Sequence, residues 1–127
     1  MGLVGIVLVS HSEQLASGLR DLLRQVAGDE VRIEPAAGTD DGDLGTSPDR
    51  LSAAIAAADT GAGVVILADL GSAVLTARAV LADTPGPLLV DAPFVEGAMA
   101  AAVTASTGAG PAAVAEAARE ARDVAKF

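Results

Sequence analysis

The sequence contains no cysteine, tryptophan or tyrosine, and Phe94 and Phe127 are its only aromatic residues. Without cysteine there is no disulfide framework and no thiol chemistry, and a reducing compartment is permitted. With so few aromatic side chains, the 51% hydrophobic content calls for a core of small and branched aliphatic residues packed between layers. Positive charge is scarce too. Eight Lys and Arg stand against 17 Asp and Glu, a net charge of −9, and such a surface repels nucleic acid and anionic lipid. A basic or amphipathic protein partner is easier to accommodate. No apolar stretch reaches the roughly 20 residues that cross a bilayer. The apolar start, Met1 to Val9, lacks a basic leader and a full-length signal core and reads as a strand. The expectation is a cytoplasmic protein with one domain over residues 1–127.

What the chain does have is four short apolar runs alternating with helical patterns. Leu3 to Val9 is a continuous β-rich run, as in a strand covered on both faces. Ser12 suits a helix cap with Glu13 in the first turn, and Gly28 suits the stop. Between them Leu15, Leu19, Leu22, Leu23 and Val26 read as one apolar stripe. Val31 to Ala36 is polar at Arg32 and Glu34, which predicts an edge strand. Ala37 to Ser47 is a loop rich in Gly and Asp. Ser47-Pro48 then opens a helix with Leu51, Ala54, Ile55 and Ala58 on one face. Val64 to Ala68 is the clearest buried strand, followed by a helix over Gly71 to Asp83, a fourth strand over Leu88 to Val90, and an Ala-rich helix over Val95 to Ser106. A last helix starts at Pro111 and runs towards Lys126. The order β-α-β-α-β-α-β-α-α predicts an α/β fold, a mainly parallel four-stranded sheet with helices on both faces.

Ligands of open parallel sheets bind outside the carboxyl ends of the strands. That rule collects Ser10-His11-Ser12, the Ala37 to Ser47 loop, Asp69-Leu70-Gly71-Ser72 and Asp91-Ala92-Pro93 on one rim. His11, the only histidine, follows an apolar strand and precedes a helix start, where free N–H groups and the helix dipole favour an incoming phosphate. Imidazole is largely neutral, and so nucleophilic, near neutral pH. A lone histidine is often merely structural, but this placement makes His11 the candidate catalytic residue. Asp69 is its candidate partner, a carboxylate that fixes the tautomer and stabilises charge developing on the ring. The other reading of Asp69 is a cap for the helix that follows.

Gly71 and Ser72 resemble a phosphate cradle, with no side chain at one position and a hydroxyl at the next. Ser12, Thr39 and Thr46 complete the candidate phosphate-binding set. Asp40, Asp41 and Asp43 suggest a Ca²⁺ loop, but the Glu that such a loop needs at its twelfth position is missing, so the segment reads as a flexible wall and no metal is expected. There is no Walker-type glycine-lysine loop and Lys126 is the only lysine, which speaks against direct ATP use. No cofactor is expected.

Five stretches carry a family resemblance: Val7-Leu8-Val9-Ser10-His11-Ser12, Ala36-Ala37-Gly38-Thr39-Asp40-Asp41, Gly45-Thr46, Asp69-Leu70-Gly71-Ser72-Ala73 and Ala92-Pro93-Phe94-Val95-Glu96-Gly97-Ala98. In this order they resemble the phosphotransfer subunit of the phosphoenolpyruvate-dependent dihydroxyacetone kinase (DhaM type), which is related to the mannose-family IIA domains of the sugar phosphotransferase system. The resemblance implies a three-layer mannose-type IIA fold and a phosphotransferase component. Phosphate would arrive on His11 from phospho-HPr and leave for ADP held on the nucleotide-binding kinase subunit, with Asp69 holding the histidine. It also implies a homodimer. Because the chain stops at Phe127, HPr is expected to be a separate protein. Mannose-type relatives exchange a C-terminal strand across their dimer, and no strand signal follows Pro111.

Three other readings stay open. One is a mannose-type sugar-transport IIA domain. Another is a signalling receiver with Asp69 as acceptor, although Ser10 and His11 stand where a receiver wants an acidic pair. The last is a non-catalytic adaptor in which His11 only caps.

Overall fold

Strand β1, Gly5–Ser10, is buried at every position, as its unbroken apolar run requires. It lies at the centre of a four-stranded sheet in the order β2-β1-β3-β4, where β2 is Ile33–Ala37, β3 is Val64–Ala68 and β4 is Leu88–Leu89. All pairings are parallel. The computed structural model describes residues 2–127, so Met1, counted above with the first strand, lies outside the described residues.

Side chains alternate across the sheet, and two cores follow from that period. Val4, Ile6 and Leu8 pack with Ala16, Leu19 and Leu23 of α1 (Glu13–Ala27) and with α4 (Phe94–Ser106) and α5 (Pro111–Glu120). Val7 and Val9 pack on the other face with α2 (Pro48–Ala58) and α3 (Gly71–Asp83). The result is the expected three-layer α/β/α sandwich. Within the first of the two helical layers α4 and α5 pack through small residues: Ala98, Ala101, Ala102 and Ala105 of α4 cluster with Val114, Ala115 and Ala118 of α5. Gly5 marks the tightest approach, since a Cβ there would lie 2.1 Å from the carbonyl oxygen of Ala58.

Helix ends follow the local chemistry. Ser12 caps α1 by accepting from the N–H of Leu15, and Ser47 caps α2 by accepting from Arg50 with Pro48 in the first turn. Gly28 closes α1 at φ +88°, a conformation that favours glycine.

Three expectations are corrected. The apolar stripe of α1 is split: Leu19 and Leu23 are buried beside Ala16, while Leu15, Leu22 and Val26 face solvent. The last helix stops at Glu120, continues as one 3₁₀ turn over Ala121–Asp123, and ends before Lys126. The loop after β2 is tied down as well as acidic. Thr39 and Asp43 pair through their backbones, and Ser47 donates to Asp40 at 2.8 Å.

The edge position expected for β2 is observed. Ile6 donates to the carbonyl of Arg32 and Gly38 donates to that of Ser10, so the even-numbered residues of β2 pair with β1. Ile33, Pro35 and Ala37 therefore turn their backbone groups to the open side. Proline there sacrifices no ladder bond, and the Ala37 carbonyl accepts from Arg50 Nη1 at 3.0 Å.

Candidate functional site

The strand order reverses between β1 and β3, because the chain moves outward to β2 and then crosses back to β3. From this switch point α1 leaves on one face of the sheet and α3 on the other. Register does the rest. Val9 pairs with Ala68 and Asp69 donates its N–H to the Val9 carbonyl, so Ser10, the last residue of β1, and Asp69, the residue after β3, stand side by side.

His11 and Asp69 meet directly, with Nδ1 2.9 Å from Oδ1. The second carboxylate oxygen, Oδ2, accepts from the backbone N–H of His11 at 3.0 Å and from the hydroxyl of Ser10 at 2.9 Å. Burial pushes the Asp69 carboxyl up, but the backbone N–H of His11, its ring and the Ser10 hydroxyl together outweigh this and hold the group below its ordinary value. Asp69 is therefore ionised at neutral pH and can only accept, which puts the proton of a neutral His11 ring on Nδ1. The lone pair then sits on Nε2. That atom lies 2.6 Å from Ser72 Oγ, whose hydroxyl donates to it.

The histidine side chain is 25% exposed and the Asp69 side chain 9% exposed. Ser72 is exposed in the first turn of α3, a helix that starts without any side-chain cap. Asp69 is turned to His11 and does not cap that helix. A Cβ on Gly71 would meet nothing within 4 Å, so the space beside the helix start is open. With the His11 ring part-exposed and Ser72 exposed, the site opens at the rim of the sheet.

The remaining candidates are held elsewhere on the rim. The Ser12 hydroxyl serves α1 as its cap. Thr39 Oγ1 accepts from the N–H of Asp43 inside its own loop. Thr46 Oγ1 is 2.7 Å from Thr76 Oγ1, one helical turn beyond Ser72. None of these three hydroxyls bonds to the His11 ring. Arg50 ties the acidic loop to α1, pairing with Glu13 and Asp40. Among the described residues no cluster of three or more His, Cys, Asp or Glu is placed to hold a metal ion, and no helix is long and apolar enough to cross a membrane. Sequence reasoning put Ser10 on the rim without a role. The available signal was a serine ending an otherwise apolar strand in the register of Asp69.

Comparison with known proteins identifies the relatives of this chain. Residues 5–115 match the EIIA-man family, described as PTS system fructose IIA component. The phosphoryl donor subunit DhaM of PEP-dependent dihydroxyacetone kinase 2 from Listeria innocua is 40% identical over 106 residues, which is 80% of this chain and 85% of that protein. The phosphotransferase subunit DhaM of the PTS-dependent dihydroxyacetone kinase from Lactococcus lactis is 37% identical, covering 83% and 85%. A DhaM from Pantoea ananatis is 41% identical over 84% of this chain, but the chain spans only 24% of that longer protein. Among solved structures, the unknown function protein EF1359 superimposes with a TM-score of 0.83 at 35% identity, covering 100% of this chain and 98% of that one. A sigma-54 interaction domain protein from Enterococcus faecalis shares the fold alone, with a TM-score of 0.70 at 14% identity. With the family matched from β1 into α5 and DhaM subunits aligned over most of its length, the chain belongs to the EIIA-man family of phosphotransferase-system IIA components.

Proposed function

We propose that the protein is the phosphohistidine carrier of a phosphoenolpyruvate-dependent dihydroxyacetone kinase, loaded on His11 Nε2 by phospho-HPr and discharged to ADP on the kinase's nucleotide-binding subunit. The observation that carries the reading is the Asp69–His11–Ser72 chain, in which Nδ1 is held by Asp69 and Nε2 is turned to the rim. In the loading step the Nε2 lone pair attacks phosphorus in line, and the P–N bond to the donor's histidine breaks. That donor nitrogen recovers its electron pair. The His11 ring becomes positive as its P–N bond forms, while Nδ1 keeps its proton against the Asp69 carboxylate. Ser72 and the uncapped N–H groups of α3 then lie beside the phosphoryl oxygens. In the discharge step a β-phosphate oxygen of ADP attacks the same phosphorus, and Nε2 regains its lone pair.

Neutral donors suit a carrier. A site that bound phosphate through several cations would hold the group in the ground state and slow its departure. Here Lys126 is paired with Glu96 of α4, and Arg50 is engaged by Glu13 and Asp40. The names of the DhaM relatives, phosphoryl donor subunits, support the same reading. A homodimer and a cytoplasmic location belong to it. For the dimer, the support within the fold is the outer edge at β4, where only Leu88 and Leu89 are paired and both are half-buried; sedimentation velocity tests it.

The experiment is a reconstituted relay. Incubation with phosphoenolpyruvate, enzyme I and HPr is expected to give an acid-labile, base-stable phosphoprotein, with the phosphate mapped to His11 by mass spectrometry. Equal labelling of His11→Ala rejects the mechanism, and hydroxylamine-sensitive label on Asp69 points to a receiver. Discharge to the kinase subunits supports this assignment, whereas transfer to a sugar IIB protein alone points to mannose-type transport.

A further inference from the structure

Among the described residues Ser10 is the most deeply enclosed polar one, at 0% exposure. The other buried polar one among them, Ser47, has the evident job of capping α2. Ser10 has no such job, because Ser12 caps α1. Its position continues the parity of Ile6 and Leu8, where the rest of β1 places aliphatic carbon.

We propose that Ser10 is a positioning residue for phosphoryl transfer: its buried hydroxyl fixes the Asp69 carboxylate in the orientation that points His11 Nε2 outward, and ties that carboxylate to the N-cap of α1. The proposal rests on His11 being the phosphate acceptor. A carboxylate that held the imidazole through Oδ1 alone could turn about its Cβ–Cγ bond and carry the ring with it. Oδ2 is instead gripped from the end of β1, by the Ser10 hydroxyl at 2.9 Å and the His11 N–H at 3.0 Å. The direction of the hydroxyl bond follows from the donor count. Ser10 Oγ accepts from the Ser12 N–H at 3.1 Å, and its single hydrogen is needed by a carboxylate that has none to give. The chain of contacts therefore runs from the Ser12 N–H through Ser10 Oγ to Asp69, and from Asp69 to the ring.

Ser10 touches neither the ring nor the space before Nε2, so it acts only through Asp69. With the hydroxyl gone, Oδ2 keeps one donor, the Ser12 N–H loses its partner, and the orientation of the carboxylate is less defined. Loss of a hydrogen bond that orients a reacting group's partner costs on the order of tenfold in activity.

The test combines kinetics with nitrogen NMR on the full chain. Ser10→Ala is expected to keep the native fold by circular dichroism, to lower the share of His11 rings with the proton on Nδ1, and to be phosphorylated by phospho-HPr about tenfold more slowly. Ser10→Thr, which keeps the hydroxyl, is expected to recover most of the rate. A purely structural serine would change the melting temperature and leave the tautomer ratio alone. A folded Ser10→Ala with wild-type tautomer ratio and rate overturns the proposal. If that variant does not fold, the wild-type protein decides. A slowly exchanging Ser10 hydroxyl proton supports the proposal, and one exchanging at the solvent rate overturns it. If wild-type protein takes no phosphate on His11, the carrier reading fails, and the tautomer ratio of Ser10→Ala still judges the role of Ser10.

Discussion

Gly45 donates its backbone N–H to the carbonyl of His11 at 2.9 Å, so the acidic loop hangs from the residue proposed to accept phosphate. The same glycine sits at φ +142°, and a Cβ there would lie 2.8 Å from Thr39 Cγ2. Gly45→Ala is therefore expected to lower stability by about 1–3 kcal/mol, read as a shift of the denaturant midpoint. It is also expected to slow phosphorylation of His11, since the loop and the histidine share that bond.

Asp69→Asn should leave the fold in place and damage the transfer severely. An amide presents an NH₂ group where two N–H donors and a hydroxyl now find only acceptors, so the ring loses the partner that selects its tautomer. A fall of at least about a hundredfold in the phosphorylation rate is expected, as a missing orienting carboxylate gives in other histidine-dependent sites. Quench-flow labelling with phospho-HPr measures it, and nitrogen NMR should report a mixture of the two neutral tautomers.

Ser72→Ala removes the hydroxyl that meets Nε2. The loss is expected to be smaller than for Asp69→Asn, roughly tenfold or less, because one neutral hydrogen bond contributes about 1 kcal/mol. The reverse ranking of the two variants in the same assay would mean that phosphate stabilisation outweighs ring orientation.

The depressed Asp69 carboxyl has a signature in acid. Its folded value lies below the ordinary 3.8, so the unfolded chain binds the extra proton first as pH falls. The resulting stabilisation is fully present above about pH 4 and disappears as pH drops through the folded value. Urea midpoints measured across that window should fall more steeply for the wild type than for Asp69→Asn, which has no carboxyl to titrate.

Gly5→Ala tests the packing that sets the rim. A methyl group 2.1 Å from the Ala58 carbonyl oxygen meets rigid backbone, and a destabilisation of about 3 kcal/mol is expected. Thermal unfolding checks it.

Much of this was legible in the chain. β1 and β3 announced themselves by uninterrupted Val, Ile and Leu, and Ser12, Gly28 and Ser47-Pro48 marked helix ends by their capping chemistry. His11 and Asp69 could be placed on one rim because strands one and three end beside them. The α1 stripe was misjudged because hydropathy favours leucine over alanine. Ala16 lies on the buried arc with Leu19 and Leu23, and that arc excludes Leu15, Leu22 and Val26. No glycine or proline signals the end of α5, so its true limit at Glu120 leaves no mark in the pattern. Thr39 and Thr46 could be assigned to the rim, but that their hydroxyls bond to Asp43 and Thr76 depends on a loop path that composition does not specify. Ser10 was hidden because its role exists only once strand register sets it beside Asp69.

The proline in β2 makes the two margins of the sheet unequal. With Pro35 lacking a donor and the Ala37 carbonyl already taken by Arg50, a foreign strand has little to zip onto along that border. Lengthening of the sheet by another polypeptide is therefore disfavoured along the β2 border, which behaves as a partly sealed selvage.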